Sequence, residues 1–332
     1  MADPLLFVND LKVVFSTPRG ELNAVSGVSF TVQKGQIYGI VGESGCGKTV
    51  TGRAILKLVP PPGRIAAGQI LFRGEDLVKK SESEMSHLRG RHISMVFQDP
   101  AAALNPLFTI GQQLTAIMKH HQMGSGDEIH KRAVSLLGDL GLPDPEQILE
   151  SYPHRLSGGM QQRAMIAMAL AAEPDLIIAD EPTSALDVTI QTQILELLVW
   201  LRRERGVTIV LITHDLGVVA ETCDEVAVFY LGRIVEKGPV RDIFHNTSHP
   251  YTKGLLAALP NLKTLGSELL VIPGAIPSNL ETLPGCPFEP RCYARMPVCQ
   301  AVTPPEAPIN MAHHVTCHLF TQAALDGGNK TA

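Results

Sequence analysis

Short apolar runs alternate with amphipathic stretches along much of the chain. Four runs of four to six residues are predominantly apolar, as expected for strands buried on both faces; they are Gln36–Val41, Leu176–Ala179, Val207–Ile212 and Val226–Tyr230. A helical pattern over Ile190–Arg203 separates the second run from the third. Strands that alternate with helices predict a mostly parallel sheet with helices on both faces.

Both ends and the middle of the chain depart from this alternation. Leu11–Phe15 and Ala24–Val32 are rich in β-forming residues and predict two early strands. Residues 101–150 contain long helical patterns such as Asp127–Leu140, which predict a helical insertion. From about Asn261 onward, prolines and cysteines dominate and prevent long helices, so we expect a small irregular C-terminal module.

Composition excludes several classes of protein. The 332 residues are 45% hydrophobic, which excludes a disordered chain, and 28 Lys and Arg against 33 Asp and Glu give a net charge of −5. This balance argues against a nucleic-acid partner. The longest apolar candidate, Ala164–Ala172, is about half the length that crosses a bilayer. The N-terminal residues lack a basic and apolar secretory signal, so we expect a cytoplasmic location.

A glycine-rich loop follows the first buried run. Residues 42–49 read Gly-Glu-Ser-Gly-Cys-Gly-Lys-Thr and match G-x-x-x-x-G-K-[ST]. In such loops backbone N–H groups and a helix N-terminus surround phosphate oxygens, the lysine reaches the β- and γ-phosphates, and the hydroxyl binds Mg²⁺. We further expect the helix dipole to lower the pKa of the Cys46 thiol. The predicted nucleotide-binding residues are Gly42, Ser44, Gly45, Cys46, Gly47, Lys48 and Thr49.

Two carboxylates end the second buried run. Asp180 and Glu181 directly follow Leu176–Ala179. A carboxylate at the C-terminal edge of a parallel strand suits Mg²⁺, and its neighbour can act as general base toward water. The loop and this acidic pair together predict a nucleotide triphosphatase with the α/β fold of P-loop NTPases.

Further motifs resemble those of ATP-binding-cassette (ABC) proteins. Leu156–Arg163, Leu-Ser-Gly-Gly-Met-Gln-Gln-Arg, is similar to their signature, and Ser184–Asp187 is similar to their D-loop. Gln98 stands at the position of the Q-loop glutamine, His214 at that of the switch histidine, and Phe15 at that of the adenine-stacking aromatic residue. These motifs occur in the family's order. The resemblance divides the chain into a nucleotide-binding domain over 1–260, with a helical subdomain at about 100–165, and a C-terminal module over 261–332.

The resemblance implies roles for these residues. The signature residues Ser157, Gly158 and Gly159 contact the γ-phosphate held by a second cassette, so two cassettes are needed. Asp187 belongs to the same nucleotide site. His214 holds the γ-phosphate and positions the water that Glu181 activates. The remaining implied Mg²⁺ contacts are those of Gln98, Thr49 and Asp180.

Three later segments resemble one branch of the family, the oligopeptide and dipeptide importers: His249–Leu256, Ile272–Pro277 and Gly285–Cys292. The resemblance implies an ATPase subunit at the cytoplasmic face of the cell membrane. Its implied partners are two permeases, a second and different ATPase, and an extracytoplasmic binding protein. Nickel, opine and glutathione importers share this branch. Outside transport, the motifs also fit a soluble cassette protein or a nucleotide-sensing regulatory subunit.

Four cysteines in the last fifth of the chain are spaced C-x5-C-x6-C-x17-C. The absence of short C-x2-C pairs favours a structural [4Fe–4S] cluster over zinc. Free or oxidised thiols also agree with this spacing. The predicted cluster ligands are Cys286, Cys292, Cys299 and Cys317, and the alternative zinc ligands include His313, His314 and His318.

Overall fold

A computed structural model describes residues 3–18, 20–184, 186–259, 272–274 and 284–321. The strands are β1 Leu6–Thr17, β2 Gly20–Val32, β3 Ile37–Val41, β4 Gly63–Phe72, β5 Glu75–Asp76, β6 Ile93–Val96, β7 Leu176–Asp180, β8 Thr208–Thr213, β9 Glu225–Tyr230, β10 Arg233–Pro239, β11 Glu306–Pro308 and β12 His314–Thr316. The helices are α1 Lys48–Ile55, α2 Glu82–Leu88, α3 Pro100–Ala103, α4 Ile110–His120, α5 Gly126–Asp139, α6 Pro145–Glu150, α7 Gly158–Leu170, α8 Val188–Arg205, α9 Leu216–Thr222, α10 Val240–His245, α11 Pro250–Ala257 and α12 Pro297–Ala301.

The chain forms two compact units, and neither is continuous in sequence. Unit 1 comprises Met1–Val32, Tyr38–Val78 and Thr213–Ala332, and unit 2 comprises Gln33–Ile37 and Lys79–Ile212. Unit 1 therefore carries the glycine-rich loop and the cysteines, and unit 2 carries the signature and the acidic pair.

Unit 1 contains two groups of strands. β2, β1, β4 and β5 lie side by side in that order and pair antiparallel. The second group has the order β11, β12, β10, β9 and β3, in which only β9 and β3 pair in parallel. Every residue of β3 is buried. This burial agrees with its almost continuous apolar sequence.

An aromatic cluster forms part of the core of unit 1. The rings of Tyr230, Tyr251 and Phe288 are 4.7 to 5.3 Å apart, and all three side chains are at most 2% exposed. Cys286 and Cys292 pack against the same cluster. Residues of the cysteine-bearing segment therefore share a core with β9 and α11. Aromatic pairs at these distances add attraction beyond the area that they bury.

Unit 2 combines parallel strands with a helical insertion. β6, β7 and β8 pair in parallel in that order, and β7 and β8 are buried throughout. In the insertion α4 begins with a capping box formed by Thr109 and Gln112 and buries Ile110, Leu114 and Met118. Their spacing of four residues places them on one helix face.

The four predicted buried strands and the helices at 127–140 and 190–203 are confirmed, as β3, β7, β8, β9, α5 and α8. Both units contain parallel strand pairs, as the alternation of strands and helices predicted. The domain limits and the separate C-terminal module stay predictions. In the described part of that segment, β12 pairs with β10 and extends the sheet of unit 1. Across the described ranges, none of the helices has both the length and the apolar character needed to cross a membrane.

Candidate nucleotide site

The glycine-rich loop joins β3 to α1 in a conformation that requires glycine. Gly42 and Gly47 have φ angles of 157° and 99°. A Cβ at either position would lie 2.3 Å from a backbone oxygen, that of Phe229 or that of Ala24. The loop backbone therefore packs directly against neighbouring chain. The helix predicted to begin near Gly47 is confirmed, because Gly47 is the N-cap of α1.

Lys48 hydrogen-bonds to the loop from the protein interior. Its side chain is buried, and Nζ donates to the carbonyls of Gly42 at 2.7 Å and Glu43 at 2.9 Å. These bonds hold the ammonium group beside the loop, near the phosphates that it is predicted to contact. Ser44 and Gly45 are exposed, and Thr49 is half-buried. The loop therefore has a buried cation and an exposed rim, an arrangement that can accept an anion.

The expectation for Cys46 is wrong. Its side chain is only 3% exposed, and burial raises the pKa of the thiol, although Lys48 beside it acts in the opposite direction. Lys48 Nζ lies 3.8 Å from Cys46 Sγ. The dipole argument fails because desolvation of the thiolate outweighs the attraction of the nearby positive charges. A buried neutral thiol is a poor nucleophile.

In unit 2, the structure brings the acidic pair together with Gln98. Asp180 ends β7 and is 1% exposed, and Glu181 follows with a φ angle of 45°. Gln98 Nε2 donates to Glu181 Oε2 at 2.9 Å. Ser184 Oγ donates to the carbonyls of Gln98 and Glu181 at 3.2 and 3.0 Å. The glutamate is therefore oriented by an amide and fixed through its backbone, as a positioned base would be.

The signature segment begins a helix at the surface of unit 2. Ser157 is the N-cap of α7, and its hydroxyl accepts from Met160 N at 3.4 Å. Ser157 and Gly158 are exposed, and Gly159 is half-buried. Asp187 is exposed and caps α8 in the same way, through Ile190 N at 3.0 Å. Both helix N-termini therefore have accessible side chains.

Two further predicted residues, His214 and Phe15, also belong to unit 1. His214 is exposed and lies between β8 and Asp215, the N-cap of α9. Phe15 is half-buried on β1, opposite Gly63 on β4. The close fit of the ring requires glycine there, because a Cβ on Gly63 would lie 2.5 Å from Phe15 Cε1. The ring is thus fixed on one side.

Comparison with known proteins confirms the resemblance of this chain to the ABC family. The sequence model of the ABC transporter family matches residues 25–184. The model of the oligopeptide/dipeptide transporter C-terminal region matches residues 235–299. The dipeptide transport ATP-binding protein DppD of Bacillus subtilis is 49% identical over 97% of this chain and 96% of its own length. This chain belongs to the ABC transporter ATP-binding subunits.

Other comparisons agree with this assignment. The oligopeptide transport ATP-binding protein OppD of Salmonella typhimurium is 47% identical over 92% of this chain and 91% of its own length. Among solved structures, a dimeric post-hydrolysis state of the ATP-binding cassette MJ0796, bound to ADP and Pi, has a TM-score of 0.65 at 28% identity. It covers 71% of this chain and 99% of the matched chain. The ABC ATPase fold is therefore established.

The four C-terminal cysteines of this ABC subunit lie within electrostatic range of one another. Burial and the neighbouring thiolates raise the pKa of Cys286 to about 12, and burial raises that of Cys317 to about 11. Cys286 N donates to the carbonyl of Cys299 at 2.8 Å. Within the described ranges, however, no three His, Cys, Asp or Glu side chains form a group that could hold a metal ion.

Two of the three histidines predicted as alternative zinc ligands have other partners. His313 is fully buried, and its Nε2 lies 2.8 Å from Glu236 Oε1. His318 Nε2 lies 2.8 Å from the carbonyl of Val302. His314 is half-buried on β12.

Sequence reasoning missed the contacts made by Tyr251 and Arg291. Both reach Glu43, the second residue of the loop, from more than 200 positions away. The motifs that contain them are visible in the sequence, but nothing in their spacing indicates this contact. Part of the second importer-like segment, Ala275–Pro277, lies outside the described residues, as does Ala185.

Proposed function

We propose that this chain is the ATP-hydrolysing, energy-coupling subunit of a membrane importer for dipeptides or oligopeptides. The hydrogen bond between Gln98 and Glu181, directly after the buried Asp180, is the observation that carries the ATPase assignment. The named functions of the DppD and OppD relatives support peptide import. A nickel, opine or glutathione-like ligand is the alternative within the same branch.

The loop binds the triphosphate in this proposal. The N–H groups of Gly42–Gly47 and the N-terminus of α1 surround the phosphates, with Ser44, Gly45 and Cys46 contributing through their backbones. The Lys48 ammonium moves from the carbonyls of the loop to the β- and γ-phosphates. Phe15 stacks on the adenine.

Hydrolysis depends on the residues around Glu181. Its carboxylate takes a proton from the attacking water, and Gln98 holds the carboxylate in place until the substrate arrives. His214 contacts the γ-phosphate and orients the water. Oxygen donors such as those of Thr49, Gln98 and the buried Asp180 suit Mg²⁺, which supplies charge neutralisation when it is bound with ATP.

The exposed start of α7 serves a second cassette. Ser157, Gly158 and Gly159 offer a hydroxyl and backbone N–H groups at a helix N-terminus, where an anion is favoured. In this proposal they contact the γ-phosphate on a partner ATPase, and Asp187 lies beside the same contact. A different ATPase chain is the proposed partner. The dimeric state of the matched MJ0796 structures agrees with pairing of cassettes.

We propose a [4Fe–4S] cluster on Cys286, Cys292, Cys299 and Cys317, with zinc as the alternative. Their spacing supports it, although the described residues contain no assembled metal-binding group. When bound, a cluster supplies covalent links between the segments that carry the cysteines. Iron and labile sulfide, measured after anaerobic purification, test this proposal. Less than one iron atom per chain contradicts it.

The proposed location is the cytoplasmic face of the cell membrane, with residues 1–260 as the nucleotide-binding domain and 261–332 as the C-terminal module. The proposed partners are two permeases, the second ATPase and an extracytoplasmic binding protein. The test is purification of the tagged full chain from gently solubilised membranes of its host. We expect two multi-spanning proteins and a second cassette in the complex. Recovery of soluble partners alone contradicts the transport function.

A further inference from the structure

The second residue of the phosphate loop is a carboxylate. Glu43 follows Gly42, and its side chain is 25% exposed. A negative charge at this position opposes the binding of a triphosphate, because like charges repel more strongly where water is partly excluded. Anion binding by the loop is therefore favoured by a neighbouring group that neutralises Glu43 or holds its carboxylate away from the bound anion.

Arg291 supplies that group from a distant part of the chain. Its NH1 donates to Glu43 Oε2 at 2.8 Å and its NH2 to Oε1 at 3.1 Å, which makes a bidentate pair. The arginine side chain is only 5% exposed. Arg291 Nε donates to the carbonyl of Pro273 at 3.1 Å, and NH1 lies 3.4 Å from the Tyr230 hydroxyl. Four contacts thus fix the guanidinium plane.

The backbone of Glu43 is fixed as well. Its N–H donates to the Tyr251 hydroxyl at 3.1 Å, and its carbonyl accepts from Lys48 Nζ at 2.9 Å. Tyr251 belongs to α11, and Phe288 packs on its ring. Arg291, which makes the bidentate pair with Glu43, lies in the segment between Cys286 and Cys292. Two C-terminal segments therefore hold one loop residue.

We propose that Arg291 is a positioning residue for nucleotide binding, which neutralises Glu43 and keeps its carboxylate turned away from the phosphates. The inference rests on the proposed assignment of residues 42–49 to the nucleotide. It adds that the affinity of the loop depends on a cation from the cysteine-bearing segment. Loss of the arginine leaves an unpaired, largely buried carboxylate beside the anion site.

The test compares nucleotide affinities of full-length variants by calorimetry with Mg-ATP, Mg-ADP and adenosine. We expect Arg291→Met to weaken Mg-ATP binding by about tenfold, with a smaller loss for Mg-ADP and the smallest for adenosine. Adding Glu43→Gln to Arg291→Met removes both charges, and we expect Mg-ATP affinity within about threefold of the wild type. Arg295→Met is the matched control, because Arg295 belongs to the same segment and is 64% exposed.

Rescue by the second substitution separates positioning from mere support of the fold. A double variant that folds and binds Mg-ATP as weakly as Arg291→Met overturns the inference. Where Arg291→Met does not fold, the double variant decides: Mg-ATP affinity within about threefold of the wild type supports the inference, and a tenfold loss overturns it.

The controls separate this inference from the proposed function. A wild-type chain that does not bind Mg-ATP, or that binds it as well after Lys48→Ala, contradicts the assignment of the loop itself. Normal wild-type binding together with unchanged affinity in Arg291→Met contradicts only the role of Arg291.

Discussion

The glycine-rich loop and the start of α7 are both helix N-termini that contain glycine, but their surroundings differ. In the loop, Cys46 and Lys48 are at most 4% exposed, and the lysine bonds to loop carbonyls. At α7, Ser157 and Gly158 are exposed, and the hydroxyl caps its own helix. The contacts that bury and stabilise the loop come from within one chain. The α7 terminus presents its donors outward, as an element that completes a site elsewhere does.

Lys48→Ala gives the largest effect expected from this comparison. Removing a charge-assisted contact to phosphate weakens ATP binding by roughly tenfold to a hundredfold. The dissociation constant of the full-length chain for Mg-ATP checks this. Lys57→Ala is the matched control, since Lys57 Nζ also donates to a backbone carbonyl, that of Val78. Equal losses in both variants contradict the role of Lys48.

Ser157→Ala tests the outward-facing element. We expect this chain to keep its own ATP affinity, whereas turnover of the assembled transporter falls by about tenfold, because one hydrogen bond to a charged phosphate is lost. The lost cap also costs about 1 kcal/mol of stability. Ser81→Ala loses the comparable N-cap of α2 and controls for that cost. Reduced affinity in isolated Ser157→Ala conflicts with the comparison.

Lowering the pH is expected to destabilise the segment around His249 and Tyr251, which supports the loop, before it affects α7. Burial lowers the pKa of His249 to about 4, and His249 Nδ1 accepts from Tyr251 N. Below pH 6.5 the unfolded state binds a proton that the folded state excludes, so stability present above pH 6.5 is lost as pH falls toward 4. The loss amounts to about 3 kcal/mol. The hydrogen-exchange protection factors, which are corrected for the slower intrinsic exchange in acid, therefore fall around residues 249–251 before they fall in α7. The opposite order contradicts the prediction.

The smallest effect concerns Cys46. With a raised pKa and a buried side chain, its thiol reacts slowly with maleimide at pH 8, with or without ATP. Mass spectrometry of the labelled peptide compares its rate in the native chain with that in denaturant. Rapid labelling of the native thiol conflicts with a closed loop.

The motifs predicted the local parts of the site well. The strand, loop and helix around Gly42–Thr49, and the strand that ends at Asp180, are in the predicted places. Local sequence determines these elements, because apolar runs bury strands and glycines permit the tight turn. The family resemblance implied that Gln98 and Glu181 belong to the same site, but it did not predict the hydrogen bond between them.

The burial of the side chains and their contacts with distant residues could not be predicted in the same way. The fork of Arg291 on Glu43 joins residues 248 positions apart, so no local pattern indicates it. The prediction for Cys46 fails because a dipole argument needs the degree of burial, which depends on packing against the whole of unit 1. The pairing of β12 with β10 likewise depends on tertiary contacts.

The most direct test of the proposed ATPase is Glu181→Gln in the assembled transporter. We predict that Mg-ATP affinity stays within about twofold of the wild type, while turnover falls by about two to four orders of magnitude, because the positioned base is lost. Glu196→Gln, an exposed position on α8, is the control. Near-normal turnover in Glu181→Gln would contradict the central claim that the Gln98-bonded carboxylate is the catalytic base.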